Sequence, residues 1–228
     1  TKTGVIALSD KEVPKFNYLE GVYDEQDPGI FSHMMMKEIH DQPVSLSNVL
    51  SGRISSKGYN ARLNGFSLNT EEIRRLDKIN LVGCGSAFYA SKIMAEYIRK
   101  YTEVPVEAFR ASEFPAIDTC SSKTLTVGLT QSGETKDTLD ALLEAKKYGS
   151  HIGSICNVIG STISRLTGNG AYLYAGPEFA VASTKVYTNM VAVGLLFALT
   201  ITNMSRNEKK DLVSELRKIP NLMTQQLM

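Results

Sequence analysis

LTVGLTQSGETKDTLDALLEAKKYG, residues 125–149, joins a strand pattern to a helical pattern through a short polar turn. The first six residues are apolar or β-branched, whereas from Lys136 onward apolar side chains recur at helical spacing. Gly149 is the type of residue that ends a helix. Because a strand that turns directly into a helix is the repeating unit of parallel sheets, this stretch predicts an α/β fold.

The same alternation of strand and helix continues on both sides of this stretch. Before it, we expect a short helix opened by a capping box of Asn69 and Glu72, then a strand and turn in INLVGCGSA (79–87), a helix over 88–101 and a strand over 105–109. After it, we expect strands over 151–158 and 171–175, a long apolar helix from near Ser183 and a polar helix from about Asn207. The pattern predicts a three-layer α/β fold of the flavodoxin or Rossmann kind, a parallel sheet with helices on both faces.

The first part of the chain differs in character. Residues 1–30 contain scattered apolar groups and the acidic cluster YDEQDPG, which favours a linker between domains. Helical spacing then begins at Phe31 and continues through Met35 and Ile39, and Pro43 predicts a break or restart of that helix. We therefore predict a linker over 1–30 and one domain over 31–228, with helical extensions at both of its ends.

Composition excludes several classes of function. The chain has 228 residues, of which 43% are hydrophobic, enough for one sizeable core. Its 25 basic and 24 acidic residues give a net charge of +1, so we expect no binding to nucleic acid or to an anionic membrane. The apolar run Met190–Ile201 is too short to cross a bilayer, and no signal peptide is recognisable.

The cysteines and histidines indicate neither a disulfide framework nor a metal site. Cys84, Cys120 and Cys156 are odd in number and far apart, which favours a reducing, cytoplasmic setting. His33, His40 and His151 are scattered, and no pair has the spacing of zinc ligands. We predict no metal and no cofactor.

Three predicted connections from strand to helix share one composition. GCGSA (83–87), TQSGET (130–135) and VASTK (181–185) are rich in glycine and small hydroxyls. Free N–H groups at a helix start favour an anion, and glycine allows it to approach the main chain, so phosphate is the expected ligand. Ser, Thr and Gly are also the ordinary residues of caps and turns, which is the better explanation of any one connection taken alone. Three of them at the ends of neighbouring parallel strands would converge on one crevice.

Other functional interpretations are weaker. After Gly83 and Gly85, the third glycine of a dinucleotide fingerprint would fall on Phe88, and no nucleotide-binding P-loop motif is present. Cys84 could be a nucleophile, but we favour a small residue that lines the site. Glu134 and Glu178 could transfer protons, but we favour capping or simple solvation.

Seven motifs indicate a family, which the spacing of residue types alone does not. In chain order they are GIFSHMMMKEIHDQP, SGRIS, GCGSA, ASEF, TQSGET, ICNV and VASTK. Together they closely resemble the isomerase half of the glucosamine-6-phosphate synthase family, the isomerising glutamine:fructose-6-phosphate aminotransferases. The resemblance covers nearly the whole chain and implies an interdomain linker followed by the first of two sugar isomerase (SIS) domains. In that family, a glutaminase domain releases ammonia, and the SIS domains convert fructose 6-phosphate to glucosamine 6-phosphate.

The resemblance implies roles for ten residues at the three connections. Thr130, Gln131, Ser132 and Thr135 would hold the sugar phosphate, Cys84, Gly85 and Ser86 would line the sugar, and Val181, Ala182 and Ser183 would meet it from the third connection. One position departs from the family: Ala87 stands where a second hydroxyl usually contacts phosphate. Phosphate binding is therefore expected to be weaker or bridged by water.

The resemblance also predicts what this chain lacks. The family's glutaminase depends on an N-terminal cysteine, whereas residue 1 is Thr1, and the family's catalytic glutamate, histidine and lysine belong to the second SIS domain. We name no catalytic residue and expect a binding half-site, inactive alone, that works with a glutaminase domain, a second SIS domain and a homodimer partner. A non-catalytic SIS module that senses sugar phosphates and a plain sugar-phosphate isomerase remain the alternatives.

Overall fold

The computed structural model describes residues 27–55 and 60–227. Its helices are α1 (Met34–Leu50), α2 (Thr70–Arg74), α3 (Ser86–Tyr101), α4 (Ala116–Thr119), α5 (Lys136–Lys147), α6 (Thr162–Thr167), α7 (Lys185–Ile201) and α8 (Arg206–Leu227). Its strands are β1 (Lys78–Gly83), β2 (Val106–Arg110), β3 (Thr124–Thr130), β4 (His151–Cys156) and β5 (Gly170–Tyr172). Of the predicted linker, residues 1–26 lie outside the described part of the chain.

The strands form one parallel sheet in the order β2-β1-β3-β4-β5. Gly83 at the end of β1 pairs with Leu129 of β3, and Thr130 at the end of β3 pairs with Cys156 of β4. The carboxyl ends of these three central strands therefore lie side by side. The predicted parallel sheet is confirmed.

Helices cover both faces of this sheet, as the alternation predicted. On one face, Leu81 and Val127 pack with side chains of α1, α3, α7 and α8, including Met94 and Phe197. On the other face, Val82 packs with apolar side chains of α5 and α6. Because neighbouring residues of a strand point to opposite faces, Leu81 and Val82 belong to different cores. The result is the expected three-layer α/β architecture.

Pro43 does not break the first helix, so that prediction is wrong. α1 runs from Met34 to Leu50 with Pro43 inside it. Proline removes the backbone N–H that would bond the carbonyl of Ile39. The side-chain amide of Gln42 donates to that carbonyl instead, at 3.1 Å. The helix continues across the proline and presents one long face to α7.

Other element boundaries also differ from expectation. The short helix α6 was not predicted, and β5 ends at Tyr172 rather than at residue 175. The capping box at α2 is confirmed: Asn69 accepts from the backbone N–H of Glu72 at 3.0 Å, and the Glu72 side chain accepts from Asn69. Within the described residues, no helix combines the length and apolar character that crossing a membrane requires.

Helices α3 and α7 lie side by side and point the same way. Gly194 in the middle of α7 packs so closely against Met94 of α3 that an added Cβ would come within 2.9 Å of the Met94 Cβ. At the far end, the hydroxyl of Thr202 donates to the carbonyl of Tyr101. Two helices that meet at their middles and at their carboxyl ends also begin at the same end of the pair. The amino termini of α3 and α7 therefore face the same edge of the sheet.

Candidate functional site

The turn from β1 into α3 presents the first group of predicted residues. Gly85 precedes the helix with φ +54°, and no side chain caps the first turn of α3. Gly85 and Ser86 are exposed, Cys84 is half-buried, and Ala87 is buried. The N–H groups of Ala87 and Phe88 bond the carbonyls of Cys84 and Gly85, each at 3.1 Å. The exposed Ser86, with its N–H and hydroxyl, is therefore the donor residue that the start of α3 presents at the carboxyl edge of the sheet.

The loop from β3 into α5 is held together by its own hydroxyls. Thr130 is only 1% exposed. Its hydroxyl accepts from the N–H of Gly133 at 3.1 Å and bonds the Thr135 hydroxyl at 3.2 Å. The Ser132 hydroxyl accepts from the N–H of Glu134 at 3.1 Å. Thr130 thus braces the loop from beneath, while half-buried Gln131, Ser132 and Thr135 form its outer side.

Behind this loop lies α6, which sets the loop's shape. Gly133 has φ +71°, and a Cβ there would come within 1.9 Å of the Ser161 Oγ. The Gly133 carbonyl accepts from the N–H of Ile163 at 2.9 Å, and the Glu134 carboxylate accepts from the N–H of Thr162 at 2.8 Å. Hydrogen bonds from the side chain and then the backbone of Thr162 lower the pKa of Glu134. Glu134 therefore caps α6, the role favoured from the sequence.

The two loops meet at the first turn of α5. The Cys84 Sγ lies 3.8 Å from the Thr138 Oγ1 and 3.9 Å from a carboxylate oxygen of Asp137. Like α3, α5 begins without a side-chain cap, at Thr135. The uncapped starts of α3 and α5 thus lie next to each other, beside the carboxyl ends of β1 and β3.

The third predicted group, residues 181–183, does not follow a strand end, which corrects the expectation of three neighbouring strand ends. β5 lies at the sheet edge, with β4 between it and β3, and it ends at Tyr172. The reason is that the chain makes a long loop before α7 begins. Asn157 ties this loop to the site: its side chain bonds the Ala175 N–H and the Gly176 carbonyl, and its own N–H donates to the Gln131 carbonyl at 3.3 Å.

The start of α7 is already occupied by a carboxylate of this chain. Glu178 accepts from the N–H of Thr184 at 2.9 Å and of Val186 at 3.2 Å, and from the Ser183 hydroxyl at 2.9 Å. Glu178 is thus a helix cap, as favoured from the sequence. The third group therefore offers the exposed Val181 and Ala182 rather than a free helix start.

The arrangement suits a small anion held without a cation. Lys136, the nearest basic residue in the sequence of the second loop, forms an ion pair with Asp140. The described residues contain no cluster of three or more His, Cys, Asp or Glu side chains that could hold a metal ion. Within the two loops, backbone N–H groups and hydroxyls are the donors offered to a ligand. The guanidinium of Arg110, whose backbone pairs with Gly83 in the sheet, stacks over the Phe88 ring at 5.1 Å from its centroid.

A cavity of about 610 Å³ lies elsewhere, along β5. Among the described residues, Arg53, Arg62, Asn169 and Tyr172 help to line this cavity. None of the ten predicted site residues lines it. The uncapped helix starts, rather than cavity volume, therefore locate the candidate site.

Sequence reasoning missed Asn157 and Glu38, whose side chains bond the loop before α7 without belonging to any of the three connections. Asn157 directly follows β4, so a polar residue after a strand was the available signal. Glu38 on α1 accepts from the N–H groups of Phe179 and Ala180. No local pattern links residue 38 to residue 179.

Comparison with known proteins identifies relatives in sequence and in fold. The SIS domain family matches residues 72–200. An isomerising glutamine–fructose-6-phosphate aminotransferase from Clostridium acetobutylicum is 37% identical over 92% of this chain and 35% of its own length. One from Clostridium tetani is 38% identical over 97% of this chain and 38% of its own length. The chain thus spans little more than a third of these relatives.

A solved structure agrees with these sequence matches. The C-terminal domain of glucosamine-fructose-6-phosphate aminotransferase from Francisella tularensis superimposes with a TM-score of 0.77 at 29% identity. The match covers 86% of this chain and 56% of that one. Its fold is therefore shared with most of the present chain.

Proposed function

Because the chain belongs to the SIS domain family, we propose that it binds a sugar phosphate where β1 and β3 end. The ligands that we propose are fructose 6-phosphate and glucosamine 6-phosphate. The names of the aminotransferase relatives support this choice of sugar. The observation that carries the proposal is the meeting of two uncapped helix starts, α3 and α5, at the contact between Cys84 and Thr138.

Each residue of the two loops has a distinct proposed role. The hydroxyls of Ser132 and Thr135, the Gln131 side chain and the first N–H groups of α5 hold the phosphate. Thr130 keeps the loop in shape, because its buried hydroxyl is bonded within it. Cys84, Gly85 and Ser86 line the sugar from the side of α3. A hydrogen bond to a charged oxygen contributes about 1.5–3 kcal/mol, so a few such donors suffice without a basic side chain.

The third group of residues completes the proposed site from one side. Val181 and Ala182 are exposed, whereas the Ser183 hydroxyl is bonded to Glu178. We propose that these residues contact the sugar through their main chain and the Val181 side chain. The phosphate lies at α5 rather than at α7, because Glu178 already occupies the start of α7.

We infer that the parent protein is an isomerising aminotransferase that makes glucosamine 6-phosphate and glutamate from fructose 6-phosphate and glutamine. The chain covers about a third of the length of such relatives, and we propose that it supplies binding while other segments of the parent protein supply the catalytic groups. A glutaminase domain, a second SIS domain and a second copy of the protein are the proposed partners. Incubating the parent protein with both substrates and measuring glucosamine 6-phosphate tests this inference.

Binding itself is tested by a pair of serine variants. Ser132→Ala removes a donor to the phosphate and is expected to weaken glucosamine 6-phosphate binding by about 1–3 kcal/mol, measured by calorimetry. Ser121→Ala is the matched control, because the two serines make the same local hydrogen bond. The Ser121 hydroxyl accepts from the N–H of Lys123 at 3.2 Å, and the Ser132 hydroxyl accepts from the N–H of Glu134 at 3.1 Å. Ser121 precedes β3, at the opposite edge of the sheet, so its loss leaves affinity unchanged. Equal affinities for the two variants would contradict the proposed phosphate site.

A further inference from the structure

Helix α1 directs a row of polar side chains at α7 and at the loop before it. Glu38, Asp41, Gln42 and Ser45 are spaced three, one and three residues apart, so they share one face of the helix. The Asp41 carboxylate bonds the Lys185 ammonium at 3.0 Å, and the Gln42 side chain accepts from the Thr188 hydroxyl at 2.6 Å. α1 lies outside residues 72–200, the part that the SIS family matches.

Glu38 differs from the rest of this row because it bonds the loop and not α7. Its side chain is buried, with 1% of the residue exposed. One carboxylate oxygen accepts from the N–H of Phe179 at 2.5 Å and of Ala180 at 3.1 Å. A buried carboxylate is stable only when such donors surround it, so Glu38 and the loop backbone hold each other in place.

The loop is therefore fixed at two points on either side of its exposed tip. Glu38 holds residues 179 and 180, and Glu178 holds the N–H groups of Thr184 and Val186. Between these points stand Val181, which is fully exposed, and Ala182. A tip with so little packing of its own takes its position from its anchors.

We propose that Glu38 is a positioning residue for the sugar-phosphate site. It holds the backbone of residues 179–183 so that the tip faces the ends of β1 and β3, and a helix outside the matched SIS region thereby sets the affinity of the site. This inference rests on the proposed function. It predicts that losing Glu38 reduces sugar-phosphate affinity by more than the loss of an equivalent contact between α1 and α7.

The test compares Glu38→Ala with Gln42→Ala. The Gln42 variant removes the hydrogen bond from Thr188 of α7 to α1, together with the side-chain bond to the Ile39 carbonyl, but leaves the contacts of Glu38 with the loop in place. The chain is titrated with glucosamine 6-phosphate by calorimetry. We expect Glu38→Ala to bind roughly tenfold more weakly and Gln42→Ala to bind within about twofold of the unaltered chain. Glu38→Gln keeps an acceptor oxygen and is expected to recover most of the affinity.

Amide hydrogen exchange supplies a readout that does not need the ligand. The N–H groups of Phe179 and Ala180 are expected to exchange faster in Glu38→Ala and to stay protected in Gln42→Ala. Should Glu38→Ala not fold, Glu38→Asp serves instead, because it keeps the charge but withdraws the oxygens by about 1.5 Å, one bond length. It is expected to show the same weaker binding and faster exchange.

The outcomes separate this inference from the proposed function. If the unaltered chain does not bind glucosamine 6-phosphate, the proposed function fails, and this inference fails with it. If the unaltered chain binds and Glu38→Ala and Glu38→Asp keep its affinity, the inference alone is overturned. If Glu38→Ala and Gln42→Ala weaken binding equally, Glu38 is merely structural, and the inference is again overturned.

Discussion

At the scale of single residues, side chains of similar chemistry have different roles in the loop after β3. Thr130 is buried and bonds within the loop, whereas Ser132 lies on the loop's outer side and shapes its turn. Gly133 lets the loop lie directly against Ser161 and Cys156. Small residues are needed here because main chain, rather than side chains, fills the space between β3 and α6.

Replacing Gly133 tests that close approach. Gly133→Ala is expected to destabilise the fold by about 2–4 kcal/mol, because it combines a positive φ with an overpacked Cβ. Gly160→Ala is the control: Gly160 has φ +73°, but no atom lies within 4 Å of its added Cβ. The control is expected to cost only about 1 kcal/mol, by strain alone. Urea unfolding measures both variants, and equal costs would show that the contact with Ser161 is unimportant.

At the scale of elements, the helices differ in what stabilises their amino ends. Glutamates of this chain accept from backbone N–H groups at the starts of α2, α6, α7 and α8, through Glu72, Glu134, Glu178 and Glu208. The helices that follow β1 and β3 have no side-chain cap. The helix starts that follow β1 and β3 are the ones at which we propose that an external anion binds.

The contact between α1 and α7 makes stability depend on pH. Burial raises the pKa of Asp41, but the hydrogen bonds and charges of Lys185 and Lys37 outweigh burial and lower the pKa below its usual value of 3.8. A carboxyl whose pKa is lower in the folded state stabilises the fold above its unfolded pKa. That contribution is lost as the pH falls through the lower, folded value.

Asp41→Asn is therefore expected to be less stable than the unaltered chain at pH 7, by about 1–3 kcal/mol, because buried Lys185 loses its partner. The difference is expected to shrink as the pH falls below about 4. Asp140→Asn, which removes only an exposed ion pair with Lys136, is expected to change stability by less than about 1 kcal/mol. Urea unfolding at pH 7 and pH 3 provides the comparison, and a constant difference between the two pH values would argue against the ion pair.

At the scale of the whole molecule, the three cysteines lie in different surroundings relative to the carboxyl and amino ends of the strands. The carboxyl edge carries the uncapped helix starts and half-buried Cys84. Cys120, also half-buried, lies toward the amino ends, where its sulfur contacts Thr126 and Asn80. Cys156 is buried behind the loop after β3, and burial raises its thiol pKa. The three cysteines therefore report on different parts of one fold.

Alkylation with iodoacetamide is expected to distinguish the three cysteines by their rates of modification. Cys156 is expected to react most slowly, because it is buried and its pKa is raised. Glucosamine 6-phosphate is expected to slow the modification of Cys84 by roughly tenfold at saturation and to leave Cys120 unaffected. Mass spectrometry of the modified peptides gives the rates. Equal protection of Cys84 and Cys120 would indicate a general tightening of the fold rather than a ligand at the carboxyl edge.

The sequence by itself determined the order of strands and helices, the parallel sheet and the capping box at Asn69. It also marked the loops after β1 and β3 as the place for a ligand. These features are encoded locally, because periodicity and capping depend on residues only a few positions apart. The break expected at Pro43 does not occur, and the Gln42 side chain bonds the carbonyl that the proline leaves without a backbone donor.

Only the tertiary structure decided which polar groups are free and which are already used. It buried Thr130, gave the start of α7 to Glu178, and moved the third group of residues from a strand end to a loop held by Asn157 and Glu38. The contact of Glu38 with Phe179 joins residues 141 positions apart. No local pattern encodes such a pairing, because it forms only when separate helices pack against the same face of the sheet.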